Sequence, residues 1–266
     1  MTSMAAKRQI ASDTHFQRNV RRTRIALIVG VLALWEFLPR AGVIDELSLV
    51  PFSSAAREAV RLFVSGEILA DVFSTLGMVL LSFVIAAVAG LVLGFGLWNL
   101  PSLYRLISPY LTSYYALPIV VFYPTLVAIF GLSSTPVVVI AVSWAIVAVI
   151  VSTVAGLNAV APVHLKTAAV YRLGAWHQMV RVYIPAAAPL IFNGLRLAAG
   201  YSIIGVVAAE FVLAPGGGLG YVVKYSYNNF QVLKMYAVVL IIIALAMSLT
   251  TLVSRIERSV VERRSS

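Results

Sequence analysis

The chain is patterned as long apolar runs separated by short polar or glycine–proline interruptions. A helix needs ~20 mostly apolar residues to cross a bilayer. Six segments are candidates: about Ile25–Leu38, Asp71–Trp98, Leu103–Phe130, Pro136–Gly156, Pro185–Leu213 and Met235–Val253. The first is short and carries Glu36 near its far end. The second holds Gly90 and Gly94, a small-xxx-small pair that lets helices approach closely. The third carries Pro109, Pro118 and Pro124 among Tyr110, Tyr114, Tyr115 and Tyr123. Prolines at membrane depth free backbone carbonyls, which then need a protein or water partner. A cavity-lining or kinked helix is the expected result; an aromatic belt with simple packing would account for some of the tyrosines but not for the paired prolines. The pattern as a whole predicts an all-α, polytopic membrane protein with six transmembrane helices.

Val50 to Ser65 follows a different period. Phe52, Ala55, Ala56, Ala59, Val60 and Phe63 share one helical face, with Ser54, Arg57, Glu58 and Arg61 opposite. Two placements suit such an amphipathic helix: flat on the membrane surface, or packed on the rest of the protein. Pro215-Gly216-Gly217-Gly218-Leu219-Gly220 reads as a loop by composition.

Composition sharpens the membrane reading. Hydrophobic residues make up 61% of the chain and charged residues 11%, with a mean hydropathy of +0.96. Soluble domains run nearer ~45–50% apolar and ~25% charged, so lipid must be the solvent here. The absence of cysteine excludes disulfides and thiolate metal sites. The net charge of +10 would suggest nucleic acid in a soluble protein. Here the positive residues cluster in the tails and one loop, so the positive-inside rule accounts for them and no nucleic-acid partner is expected.

That clustering also orients the chain. The 1–24 tail carries Lys7, Arg8, Arg18, Arg21, Arg22 and Arg24 against Asp13 alone, with no apolar core that would make it a cleaved signal peptide. The 157–184 loop has Lys166, Arg172 and Arg181 and no acid. Asp45, Glu46, Glu58 and Glu67 lie beside Arg40, Arg57 and Arg61 in the segment between the first two spans. The expected layout is a cytoplasmic basic tail (1–24), a transmembrane domain (25–255) with a cytoplasmic loop at about 157–184, and a cytoplasmic charged tail (256–266).

Candidate chemistry is sparse. His15, His164 and His177 make no metal-ligand spacing with carboxylates, and no G-x-x-x-x-G-K-[ST] phosphate loop is present. No catalytic constellation is expected, and no cofactor on this chain. Val163 to Ala199 is the informative stretch. It reads as a short helix, a glycine break, a second short helix and a proline opening a span. Ala168, Ala169, Leu173, Trp176, Met179 and Val180 make it too apolar for a plain solvated connection. A helix hairpin between two spans suits docking to a partner.

This stretch resembles the coupling loop of binding-protein-dependent ABC importer permeases. The chain from about Val50 to Val253 is similar to their nitrate/sulfonate/taurine/bicarbonate branch. The residues that carry the resemblance are Thr75-Leu76-Gly77 through Ser82-Phe83, Ile107-Ser108-Pro109, Leu117-Pro118 with Pro124, and Phe130-Gly131. They continue as Ile184-Pro185-Ala186-Ala187-Ala188-Pro189, Gly194-Leu195-Arg196-Leu197-Ala198, Ala208-Ala209-Glu210 and Gly217-Gly218-Leu219-Gly220-Tyr221. The loop departs from the family in one respect. Aligned on Ile184-Pro185, Lys166 stands at the family's acidic position and Arg172 at its glycine; aligned on Gly174, Ala168 stands at the acid. A degenerate loop of this kind fits a chain that pairs with a second, more typical permease.

The resemblance implies a type I ABC importer permease core for a small anionic solute. It implies two ATPase subunits holding ATP and magnesium, a second permease and an extracytoplasmic substrate-binding protein. It places ATPase coupling on Lys166, Ala168, Ala169, Arg172, Leu173, Gly174, Trp176 and Met179. The translocation path or gate falls to Tyr114, Pro118, Pro124, Arg196, Glu210 and Gly217. Glu210 and Arg196 stand ~21 Å apart along one helix and cannot pair. Each has a second reading: Arg196 snorkelling to headgroups, and Glu210 accepting backbone hydrogen bonds from the Gly216–Gly220 loop. The alternative function is a secondary transporter or channel without ATPase partners. That reading predicts midplane carboxylates and inverted repeats, and neither is legible.

Overall fold

The computed structural model describes residues 2–45, 47–114, 117–163, 168, 170–171, 174–213 and 217–262. Among them there is no strand. The helices in chain order are α1 (Thr2–Arg40), α2 (Phe52–Val64), α3 (Leu69–Asn99), α4 (Pro101–Tyr114), α5 (Tyr123–Phe130) and α6 (Thr135–Asn158). They continue as α7 (Ala175–Gln178), α8 (Ile184–Leu213), α9 (Leu219–Asn228) and α10 (Val232–Glu262). A 3-10 turn, Ile119–Phe122, precedes α5, and a π turn, Met179–Tyr183, joins α7 to α8.

Among the described residues, four helical stretches are long and apolar enough to cross a bilayer: Leu69–Asn99, Thr135–Asn158, Ala175–Val212 and Val232–Ser259. α4 and the segment Ile119–Phe130 make a fifth if taken as one span bent by 86°. The apolar stretch Ile25–Leu38 is the second half of α1 and covers only ~21 Å of a ~30 Å hydrocarbon core. The expected kink in the third span is present. Pro118 caps the 3-10 turn and Pro124 sits in the first turn of α5, where a missing N–H costs no helical hydrogen bond.

α6 lies at the centre, packed against α3 on one side and α8 on the other. It carries no charge and is the most enclosed of the four spans. Its neighbours reach it through small residues. A Cβ added at Gly90 of α3 would stand 2.6 Å from the Cβ of Val149, and one at Gly205 of α8 would stand 2.6 Å from the Cα of Ala141. Lipid tails are as apolar as leucine, so close backbone approach and dispersion hold such helices together. Gly205→Leu is therefore expected to lower stability in detergent by ~1–3 kcal/mol or block assembly, as overpacking does. Gly96→Ala, with nothing within 4 Å, should be neutral. Thermal midpoints of the two variants decide the matter.

α2 packs on the protein, chiefly along α10. Its buried residues are Ala55 and Leu62, while Val60 and Phe63 of the expected apolar face are exposed. α1 docks on α2 through its C-terminal end. The Trp35 Nε1–H donates to the Val50 carbonyl at 3.0 Å, and its ring meets Phe52 and Tyr236 edge-on. Glu36 accepts from the Ser53 N–H at 2.9 Å and the Ser53 hydroxyl at 2.8 Å. That places a carboxylate at the positive end of α2.

Candidate transport site and coupling segment

The helix missed by composition is α9. Its first turn is held entirely by side chains of α3 and α8. The Gly218 N–H donates to Asp71 Oδ1 at 2.8 Å. The Leu219 N–H donates to Thr75 Oγ1 at 2.9 Å, and the Gly220 N–H to Glu210 Oε2 at 2.8 Å. The Thr75 hydroxyl in turn donates to the Glu210 carboxylate, 2.8 Å from Oε1. The first amides of a helix lack intrahelical acceptors, and here each finds one from a neighbouring span. Glu210 is fully buried, and among the described residues the Thr75 hydroxyl and the Gly220 N–H are its hydrogen-bond partners.

The approach demands glycine. Gly217 and Gly218 have φ of +84° and +112°, a region that a side chain disfavours. A Cβ at Gly218 would also overlap the Glu210 carboxylate. Lys224 Nζ donates to the Val212 carbonyl at 2.7 Å, closing the last turn of α8 from the other side.

The expected path residues therefore fall in three places. Glu210 and Gly217 meet in the α9 network, which matches the local reading of Glu210 as an acceptor for the glycine loop. Tyr114, Pro118 and Pro124 belong to the bent span. Tyr114 packs on a core cluster with Ile119, Tyr123, Val137 and Ile203, and both prolines are exposed. Arg196 lies 14 residues back along α8, near the middle of the helix, and pairs with Glu257 of α10. No spacing in the sequence foretold Glu257. Asp71 and Thr75 were missed as functional residues, although a threonine inside an apolar span and an acid at its mouth are the visible signals.

At the far end of the loop-facing side, Ala168 is buried. Gly174 is extended and stands just before α7, so it does break the segment. Trp176 is 75% exposed, with Val170 and Tyr171 similarly open; Met179 is half-buried in the π turn. Lys166, Ala169, Arg172 and Leu173 lie outside the described residues. The π turn runs directly into α8, and its Tyr183 meets Trp98 of α3 edge-on, centroids 4.9 Å apart. Val170, Tyr171 and Trp176 thus form a group of exposed large apolar side chains on the segment between two spans.

Comparison with known proteins accords with this geometry. The family description "binding-protein-dependent transport system inner membrane component" matches residues 86–265. A Methanocaldococcus jannaschii protein named as an ABC transporter permease is 26% identical over 82% of this chain and 83% of its own length. The Bacillus subtilis protein named as the aliphatic sulfonates transport permease SsuC is 25% identical over 89% of this chain and 85% of its own. The nitrate import permease NrtB of Synechococcus elongatus is 27% identical over 59% of this chain and 56% of its own. The match covers more than half of the chain and includes the central span, the exposed tryptophan segment and the stretch from Glu210 to Gly220: the protein belongs to the binding-protein-dependent inner-membrane permeases of ABC importers.

Proposed function

We propose that this permease imports a small anionic solute, driven by ATPase subunits on separate chains. The observation that carries the reading is the exposed apolar segment Val170, Tyr171 and Trp176, in a chain that has no phosphate-binding loop of its own. Anionic cargo is supported by the names of SsuC and NrtB, which specify sulfonates and nitrate. The magnesium and ATP belong to the ATPases. The departure of the loop from its family pattern, with Lys166 where an acid is usual, favours pairing with a second, different permease. Reconstitution in liposomes tests the reading. ATP-dependent uptake of labelled nitrate or an alkyl sulfonate supports it; uptake driven by an ion gradient without ATPase overturns it.

In this reading α1 supplies the sixth crossing, and 1–24, 157–184 and 256–266 face the cytoplasm, as their basic bias favours. The Glu210–Gly220 network then lies at the outer end of α8, and the coupling segment at its inner end. Single cysteines at Ser12 and Ala175 of this cysteine-free chain are expected to react with an impermeant maleimide only in inverted vesicles. Labelling of either in intact cells would remove the topology.

A further inference from the structure

We propose that the apolar groove between α2, α3 and α10 is a binding site for one anionic phospholipid, with an acyl tail lying along α10 and the phosphate on Arg57. The site is defined by its depth in the bilayer and holds whichever face is the outer one.

The groove measures about 790 Å³. α2 contributes Phe52, Val60 and Phe63 to its wall, α3 contributes Val72 and Leu80, and α10 contributes residues from Leu240 to Leu252. Ser248 is the one lining residue with a polar side chain. Its hydroxyl donates to the Ala244 carbonyl at 2.7 Å, so it asks nothing of an occupant. Leu240 to Leu252 lies inside the stretch of α10 that is long and apolar enough to cross a bilayer. The groove therefore opens into hydrocarbon rather than water. Helical rise makes that stretch ~18 Å long, close to the ~15 Å that one leaflet contributes to the hydrocarbon core. This is the reach of a single acyl tail.

The end of the groove at α2 is closed. Leu62 of α2 is fully buried in a cluster with Val72 of α3 and with Ala237 and Ile241 of α10. A spanning helix of another subunit laid in the groove would have to break this junction to leave the bilayer. A lipid tail ends beneath it. Val60 and Phe63 are the large apolar side chains that α2 leaves uncovered by its own chain, and a tail in the groove covers them. α2 is then an amphipathic helix at the level of the head groups.

Charge beside the groove selects the head group. Glu36 is paired with Arg40 at 2.6 Å, Glu58 with Arg61 at 2.6 Å and Glu67 with Lys234 at 2.7 Å. Arg57 is the one charged residue of α2 without an ion pair or hydrogen bond among the described residues, and it is exposed. Glu36 feels its charge but is already held by Arg40 and by the Ser53 N–H. Arg57 precedes Val60 by three residues, a spacing that makes them neighbours on the helix surface. Its guanidinium therefore flanks the groove mouth. A guanidinium fits a phosphate with two parallel hydrogen bonds, and an uncompensated positive charge at the membrane surface favours anionic over zwitterionic lipid.

Photolabelling of the assembled transporter tests the site. The transporter is placed in phosphatidylcholine nanodiscs holding a trace of phosphatidylglycerol or phosphatidylethanolamine with a diazirine in the tail, and labelled peptides are located by mass spectrometry. Relative to labelling elsewhere on the chain, phosphatidylglycerol is expected to label Leu240–Leu252 about fivefold more than phosphatidylethanolamine does, the preference that one basic residue supplies. Arg57→Gln should bring the two lipids level with an unchanged thermal midpoint. Ala244→Phe, at an exposed position in the groove wall, should remove the groove label of both lipids and leave the other labels in place. Equal labelling by the two lipids, indifferent to Arg57→Gln, would make the occupant ordinary solvating lipid and overturn the site. A groove labelled in the isolated permease but not in the assembled transporter would assign it to the second permease and overturn the site as well.

Discussion

Trp176→Ala is expected to weaken association with the ATPase more than tenfold and to uncouple ATP hydrolysis from transport. The side chain is the largest exposed apolar group on the coupling segment. Aromatic anchors of this kind dominate interfaces, and their truncation costs ~2 kcal/mol or more, which is more than a decade in affinity. His177→Ala, at the adjacent exposed position, should cost little. ATPase pull-down beside substrate-stimulated hydrolysis separates the two. Full coupling in Trp176→Ala would move the main contact to the partner permease or to another part of this chain.

Glu210→Ala is expected to reduce uptake at least tenfold and to lower the thermal midpoint. The change leaves the Gly220 N–H and the Thr75 hydroxyl without their shared acceptor in a fully buried setting. Each stranded group costs ~1–3 kcal/mol, which is large beside a net stability of ~5–15 kcal/mol. Glu210→Gln keeps an acceptor for the Gly220 N–H and a donor for Thr75 Oγ1. It should therefore recover most of the stability and part of the uptake. Uptake and melting measured on all three proteins distinguish a gate from a purely local prop. If Glu210→Gln melts like the wild type yet does not transport, the charge itself is needed. If both variants transport normally, the network has no part in the gate.

The sequence by itself determined the solvent and most of the elements. Asp71–Trp98, Pro136–Gly156 and Pro185–Leu213 each reappear as a helix within a few residues of the expected ends, because an uninterrupted apolar run in lipid has few options besides a helix that satisfies its own backbone. Pro118 and Pro124 foretold the break in the third span for a local reason: a residue without an N–H is favoured at the start of a helix, where both stand, whereas Pro109 is carried inside α4. Gly174 likewise marked the interruption in the coupling segment. Family membership was legible in ordered short stretches spread from Thr75 to Tyr221.

Tertiary structure decided what those elements touch. Leu219–Asn228 looked like the continuation of a glycine loop because its helix start has no polar cap in its own sequence. The caps come from Asp71, Thr75 and Glu210, more than a hundred residues away in two of three cases. Arg196 pairs with Glu257, a contact between distant segments that no periodicity reports. α2 buried Leu62 and left Val60 and Phe63 outside, because the position of α10, not the helical period alone, selects the face. Local patterning specifies helices through the backbone's own hydrogen bonds. Which side chains meet depends on how the packed helices are arranged, and that is a property of the whole chain.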